Sequence, residues 1–279
     1  MSNQNQNLAY LHPFLKWAGG KSQLIQQYLP YFPKKFSKYH EPFLGGGAIF
    51  FYLHNHQLTK QVFLSDINLE LINTYTCIKE NVEAVIKLLA EHQMQHNTPY
   101  YYEVRSRKLV TPFERAARLI YLNKTCFNGL YRENSKGEFN VPIGKYKNPK
   151  ICNPDLLRSV SVALKSTQIS VRPFEAVLDY ATNTQDFVYF DPPYYPLSPT
   201  SNFTAYSRYS FNEDDQIRLR DIFVKLARRG VKVMLSNSDC PFIRKIYQEF
   251  KIHEISASRA INSDANKRGK ISEVIVTSY

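Results

Sequence analysis

Cysteine is scarce in this chain of 279 residues, and the four present, Cys77, Cys126, Cys152 and Cys240, form no close pairs. That excludes the ligand spacing of a structural zinc site and the framework of a disulfide-stapled domain. Free thiols imply a reducing compartment, the cytoplasm. The seven histidines are dispersed without metal-ligand spacing, so no metal is expected. No apolar run approaches the ~18 residues that cross a bilayer. The opening MSNQNQNLAY is polar and uncharged, unlike a secretory signal, and no membrane partner is expected. Internal repeats, low-complexity tracts and a G-x-G-x-x-G fingerprint are also missing.

Acidic residues are in deficit as well, 24 against 36 Lys and Arg, for a net charge of +12. Such an excess favours a polyanionic partner and says nothing of fold. The excess is uneven. Residues 101–150 hold eleven basic side chains against four acids, more than half of the net charge in one segment. A solvated basic face is the plain reading; a nucleic-acid-binding surface is the sharper one.

What is present reads as an α/β chain. FLKWAGGK (14–21) is a Gly-Gly loop flanked by lysines that leads into a helix over 22–29. KYHEPFLGGGAIFFYL reads as strand, glycine turn and helix, and QVFLSDIN (61–68) as a second strand carrying Asp66. Gly45 and Asp66 stand 21 residues apart, close to the spacing at which dinucleotide-type folds set an acid on a ribose hydroxyl. From about residue 69 the rhythm changes. Residues 81–92 and 113–124 have helical periodicity, and Asn128-Gly129 and Lys136-Gly137 are turn signals, the second centred in a hairpin. Strands then resume over 168–174, 187–190 and 231–237, with an amphipathic helix over 213–229 and a terminal antiparallel pair, FKIHEIS and ISEVIVTSY.

FVYFDPPYYP (187–196) is the most informative stretch. An apolar strand delivers Asp191 to its C-terminal end, the edge at which open α/β sheets bind ligands. Pro192 and Pro193 follow, then Tyr194. Taken alone, a strand followed by a proline turn explains it equally well.

Together with PFLKWAGGK, EPFLGGG, NGLYRENSKGEFNVPIGKYKNP, SPTSNFTAY and RGKISEVIVT, this stretch resembles the GATC-specific DNA adenine N6-methyltransferases, in family order and across nearly the whole chain. The resemblance implies a Rossmann-like α/β methyltransferase sheet, mostly parallel with a terminal antiparallel strand. It implies a catalytic S-adenosylmethionine-binding domain of residues 1–68 and 153–279, and an inserted helical and β-hairpin target-recognition domain of residues 69–152. It also implies S-adenosyl-L-methionine as methyl donor, double-stranded DNA as substrate and, in some members, a cognate restriction endonuclease as partner.

By the same resemblance Trp17, Lys21, Phe43 and Gly45 surround the methionine part of the cofactor. Asp66 holds its ribose with Ile67 beside the adenine, and Phe174 lies near that adenine; for Trp17 a core anchor is the alternative. Asp191 and the Pro192 carbonyl accept from adenine N6, Pro193 stiffens the segment, and Tyr194 stacks on an extruded base. In the hairpin, Arg132 matches the residue that reads the outer guanine, while Leu130 and Pro142 match thymine-methyl contacts. Phe127, Asn128 and Asn134 match positions at the flanking stack, Tyr146 and Lys16 match further DNA contacts, and Arg105 and Lys124 fit phosphates. SNFTAY (201–206) reads equally as a flap over the base or as plain loop. The competing functions are an amino-methyltransferase acting on RNA or on cytosine N4, and a nucleic-acid-binding protein without catalysis.

Overall fold

The computed structural model describes residues 10–197, 211–258 and 270–279, so the 201–206 stretch lies outside the described residues. Seven strands form one sheet in the order β3-β2-β1-β4-β5-β7-β6. They are β1 (Lys38–Glu41), β2 (Gln61–Asp66), β3 (Thr167–Val171), β4 (Asp186–Phe190), β5 (Lys232–Ser238), β6 (Lys251–Ser258) and β7 (Lys270–Thr277). Strands β1 to β5 pair parallel, with Tyr39 in register with Val62 on one side and Phe187 on the other. β7 is antiparallel to both β5 and β6 and so runs alone against the rest, as expected for the Rossmann-like sheet.

The chain winds outward from β1 in one direction and from β4 in the other. The crevice beyond the C-terminal ends of β1 and β4 is therefore a topological switch point, the default ligand site of such sheets. β4 explains its own sequence. Phe187, Val188, Tyr189 and Phe190 are all fully buried because both faces of a central parallel strand are covered, so the strand reads as a continuous apolar run.

The helices follow local signals. α3 (Leu69–Gln95) starts where the Asn68 side chain accepts from the Leu71 amide, and it bends at Asn81, whose backbone leaves the helical region. The expected helix over 81–92 is thus the second half of a longer element. α5 (Pro112–Thr125) is capped by Thr111 with Pro112 in its first turn, and α7 (Glu213–Arg228) begins on an Asn212/Asp215 capping box. α2 (Ala48–Asn55) follows the glycine turn, and α4 (Thr98–Ser106), α6 (Pro154–Leu164) and α8 (Pro241–Ile246) complete the covering layers.

Several expectations need correction. The helix expected over 22–29 shrinks to α1 (Ile25–Tyr28) followed by a 3₁₀ turn, because Pro30 removes a donor that an α-helix would use. Phe174 stands on a 3₁₀ turn (Phe174–Asp179), since Pro173 ends the strand that the sequence extends through it. The 126–143 hairpin has no regular ladder, only isolated bridges at Cys126–Ile143 and Glu133–Phe139.

One buried cluster joins Tyr39, Phe187 and Tyr189 of the sheet to Tyr75 of α3, Tyr101 of α4, Ile120 of α5 and Phe139 of the hairpin. The helices and hairpin of residues 69–152 therefore share a continuous core with one sheet face. The other face packs on α7 and α8 through Phe223, Leu226 and Ile243.

Candidate active site

Three carboxylates stand at adjoining strand ends: Glu41 closes β1, Asp66 closes β2 and Asp191 follows β4. Each has different partners, and the partners separate their roles.

Asp66 is held by backbone. The Gly45 amide donates to its Oδ2 at 3.1 Å and the Asn68 amide to its Oδ1 at 2.9 Å. Burial pushes its carboxyl above the usual range, and these amides pull it back. The Ile67 amide also bonds the carboxylate, which still has lone-pair capacity left for an outside hydroxyl. Gly45 has φ +47°, and a Cβ there would lie 2.9 Å from Trp17 Cδ1. Only glycine lets the turn pass this close to the indole. Trp17 in turn stacks on Tyr131 of the hairpin, centroids 5.5 Å apart, and packs half-buried against the core, so it is an anchor as well as a wall of the cradle. Ile67 stands exposed beside Asp66. Phe43 and Phe174 stack at 5.5 Å with Phe211 edge-on to Phe43, a cluster of aromatic rings at the same sheet edge. A glycine turn, a backbone-held acid and apolar neighbours fit an adenosyl group.

Sequence reasoning does not single out Glu41, although EPF, with an acid closing a strand, is the signal that marks it. It is buried and accepts from the Tyr39 hydroxyl at 2.9 Å. Burial pushes its carboxyl up to about 8, with Asp191 and Asp66 adding to the rise.

Asp191 is partly exposed, with 20% of its side chain accessible. Its Oδ1 receives two donors, Lys21 Nζ at 2.8 Å and Ser236 Oγ at 2.8 Å. Ser236 has one proton and gives it to Asp191, so Tyr189, 2.9 Å away, donates to Ser236. Oδ2 has no partner among the described residues. Lys21, itself buried, also donates to the Gly19 carbonyl and lies 4.6 Å from the centroid of the Tyr194 ring. The Tyr194 hydroxyl donates to Glu273 at 2.9 Å. In the proline pair the Pro193 carbonyl accepts from Gln216 at 2.9 Å, whereas the Pro192 carbonyl accepts from none of the described residues. Two acceptors, one charged and one neutral, are thus left on one short segment whose backbone is stiffened by proline. Ser236, Asn237 and Gln216 give no motif-like signal in sequence, and Glu273 lies within RGKISEVIVT with no role of its own assigned there; the fold brings all four here.

The basic segment supplies the adjoining surface. Asn123 staples it to the N-terminal loop, accepting from the Lys16 amide at 2.7 Å and donating to the Lys16 and Gly129 carbonyls. The approach is so close that a Cβ at Gly129 would lie 2.5 Å from Lys16 Cβ. Lys16 lies 3.9 Å from the Tyr146 ring centroid. Phe127, Asn128 and Pro142 are exposed, and the Phe127 amide bonds the Pro142 carbonyl. Arg132 donates through Nε to Asn140 Oδ1 at 2.7 Å, which fixes the plane of its guanidinium.

Leu130 packs partly against the core, and Asn134 is engaged in the turn, donating to Glu138 and accepting from the Lys136 and Glu138 amides. Arg105 donates to the Val141 carbonyl and lies over Tyr102. Burial, with Lys16 and Lys150 nearby, lowers Lys124 to about 8. A cavity of ≈ 560 Å³ opens between helices and hairpin, lined by Arg105, Arg118, Tyr131 and Asn140, and none of the strand-end acids borders it.

Comparison with known proteins follows the same lines. Residues 17–261 match the family described as D12 class N6 adenine-specific DNA methyltransferase. The chain is 45% identical to the type II methyltransferase M1.LlaDCHI of Lactococcus lactis subsp. cremoris, over 100% of this chain and 99% of that one. It is 44% identical to the type II methyltransferase M.MjaIII of Methanocaldococcus jannaschii, over 96% and 99%. To the DNA adenine methylase of Escherichia coli K12 it is 36% identical, over 94% and 93%. With the match spanning the glycine cradle, the basic hairpin and the Asp191 segment alike, the chain belongs to the D12 class N6 adenine-specific DNA methyltransferases.

Proposed function

We propose that the protein methylates N6 of an adenine within GATC in duplex DNA, taking the methyl group from S-adenosyl-L-methionine by direct transfer to an extruded base. The observation that carries this reading is the half-engaged Asp191 carboxylate: Lys21 and Ser236 fix Oδ1, while no described residue donates to Oδ2 or to the carbonyl of the next residue, Pro192.

S-adenosylmethionine supplies a methyl group made electrophilic by a positively charged sulfur. Asp66 would accept from its ribose hydroxyls, Ile67 and the Phe43–Phe174 stack would border its adenine, and the Trp17–Gly45 turn would border its methionine end. Adenine N6 is a weak nucleophile because its lone pair is delocalised into the ring. Asp191 Oδ2 and the Pro192 carbonyl, each accepting one N6 hydrogen, localise that pair and aim it, which is catalysis by orientation and preorganised charge. The base is reached only outside the stack. Tyr194, tethered through its hydroxyl to Glu273, offers the stacking ring. Such stacking contributes ~1–3 kcal/mol per base.

Arg132, held by Asn140, is prepared to donate to one guanine edge, the commonest specific contact in the major groove. Near-complete coverage of two type II methyltransferases, at higher identity than to the E. coli enzyme, supports a cognate restriction endonuclease as functional partner.

The test uses labelled cofactor with GATC duplex, single-base variants of it and RNA, followed by identification of the modified base. N6-methyladenine in the GATC duplex is expected. Asp191→Ala is expected to lower the single-turnover rate by at least ~10²-fold with DNA and cofactor still bound. Near-normal turnover in that variant would refute the assignment.

A further inference from the structure

β5 ends on Ser236, Asn237 and Ser238, and all three side chains grip the segment from Asp191 to Tyr195. Ser236 donates to Asp191, and Ser238 Oγ donates to the Tyr195 carbonyl at 2.6 Å. Between them Asn237 Oδ1 accepts from the Tyr195 amide at 3.0 Å and from the Ser238 amide at 2.8 Å. With its oxygen so engaged, the Asn237 nitrogen must face the other way, and it donates to Gln216 Oε1 at 3.0 Å. That fixes Gln216 in turn, whose Nε2 donates to the Pro193 carbonyl. Both amides are fully buried, so no water replaces a lost partner.

We propose that Gln216 and Asn237 are positioning residues for methyl transfer. Their relay pins the backbone on both sides of Tyr194, at the Pro193 carbonyl and at the Tyr195 amide, and leaves the Pro192 carbonyl as the acceptor offered to N6. A proline pair has no amide hydrogens with which to lock itself, so an outside donor must do so. α7 supplies that donor from a capped, rigid helix. The proposal rests on the reading of Asp191 as the residue that meets N6.

Gln216→Glu tests the direction of the relay at nearly constant size. Ionised, the introduced carboxylate would point an acceptor at the Pro193 carbonyl; protonated, it would again offer one donor there and one acceptor to Asn237. The reading is the single-turnover rate on GATC duplex at saturating cofactor and DNA, as a ratio to wild type between pH 6 and 9, at pH values where thermal melts show folded protein. The charged groups of α7 near position 216, Glu213, Asp215, Arg218 and Arg220, and those of the site, Asp191, Lys21, Asp239 and Glu273, are common to both proteins, so the ratio reports the introduced carboxylate together with its coupling to them.

The expected ratio lies within threefold of one at pH 6 and falls at least tenfold by pH 9. A ratio that does not change with pH overturns the proposal. Gln216→Met, which lacks donor and acceptor alike, decides the matter if Gln216→Glu fails to fold at high pH. It is expected to lose at least tenfold in rate at every pH while binding cofactor and DNA within threefold of wild type, and a wild-type rate overturns the proposal. Active Asp191→Ala would sink the underlying site assignment. Inactive Asp191→Ala beside fully active Gln216→Met sinks the relay alone.

Discussion

Glu41→Gln isolates the energetic consequence of placing an acid at the buried end of β1. In the folded protein burial holds this carboxyl up to about 8, whereas in the unfolded chain it ionises near ~4.3. A folded-state value above the unfolded one means that the contribution to stability is complete below about pH 4 and is lost as pH rises toward 8. In that interval the folded state keeps a proton that the unfolded chain releases. The loss accumulates at about 1.4 kcal/mol per pH unit, hence about 2 kcal/mol by pH 6 and between about 4 and 5 by pH 8.

Glutamine mimics the protonated acid, with one acceptor for the Tyr39 hydroxyl and one donor group, and it does not titrate. Urea unfolding of wild type and variant at pH 5, 6, 7 and 8 should therefore show a stability difference that grows with pH in favour of the variant. Any change in packing adds a constant offset and leaves that slope intact. A difference that stays flat from pH 5 to 8 would mean that Glu41 is ionised in the folded protein throughout, and the reasoning would fall.

Arg132→Ala should relax discrimination at the outer G·C pair by ~1–3 kcal/mol, while Lys147→Ala, at an exposed lysine of the basic segment, should weaken binding to all duplexes alike; competition binding with single-base variants checks both. Full retention of GATC preference by Arg132→Ala would contradict the readout. For Lys124, held down to about 8 in the free protein, a phosphate neighbour raises the value, so binding takes up a proton and weakens as pH rises. Affinity should fall about tenfold more between pH 7 and 9 in wild type than in Lys124→Met, measured by fluorescence anisotropy at fixed salt.

The sheet is legible in sequence where a strand is buried on both faces or alternates cleanly. β4 announces itself by four consecutive apolar residues, and the terminal pair by its period of two. Helices α4, α6 and α8 escape a reading by pattern. The nine residues of α4 and the six of α8 are too short for periodicity to stand out, and all three begin at or beside a proline that also signals a turn. Strand order is beyond the sequence because it is set by which crossovers pack against which face. The same limit hides half of the candidate site. Asp66 and Asp191 sit in motifs with recognisable neighbours, whereas Gln216 is one polar residue within an ordinary amphipathic helix. Only the register of α7 against β5 sets it beside the Pro193 carbonyl.

Three acids at one sheet edge would repel one another if all were charged, and the structure resolves this by giving each a different partner. Asp66 is stabilised by backbone amides, which hold it in place without neutralising it and leave it able to accept hydroxyls. Glu41, with a tyrosine hydroxyl and deep burial, is kept neutral and adds no negative charge to the crevice at neutral pH. Asp191 receives a full counter-charge from Lys21 on one oxygen only. That one-sided pairing, together with Ser236, fixes the carboxylate's rotation and leaves the lone pairs of the second oxygen without a donor among the described residues. Symmetric solvation or a two-pronged arginine would have stabilised the charge equally well but would have occupied both oxygens. A lysine at position 21, which brings a single ammonium to one oxygen, leaves the other for the acceptor role proposed for Asp191.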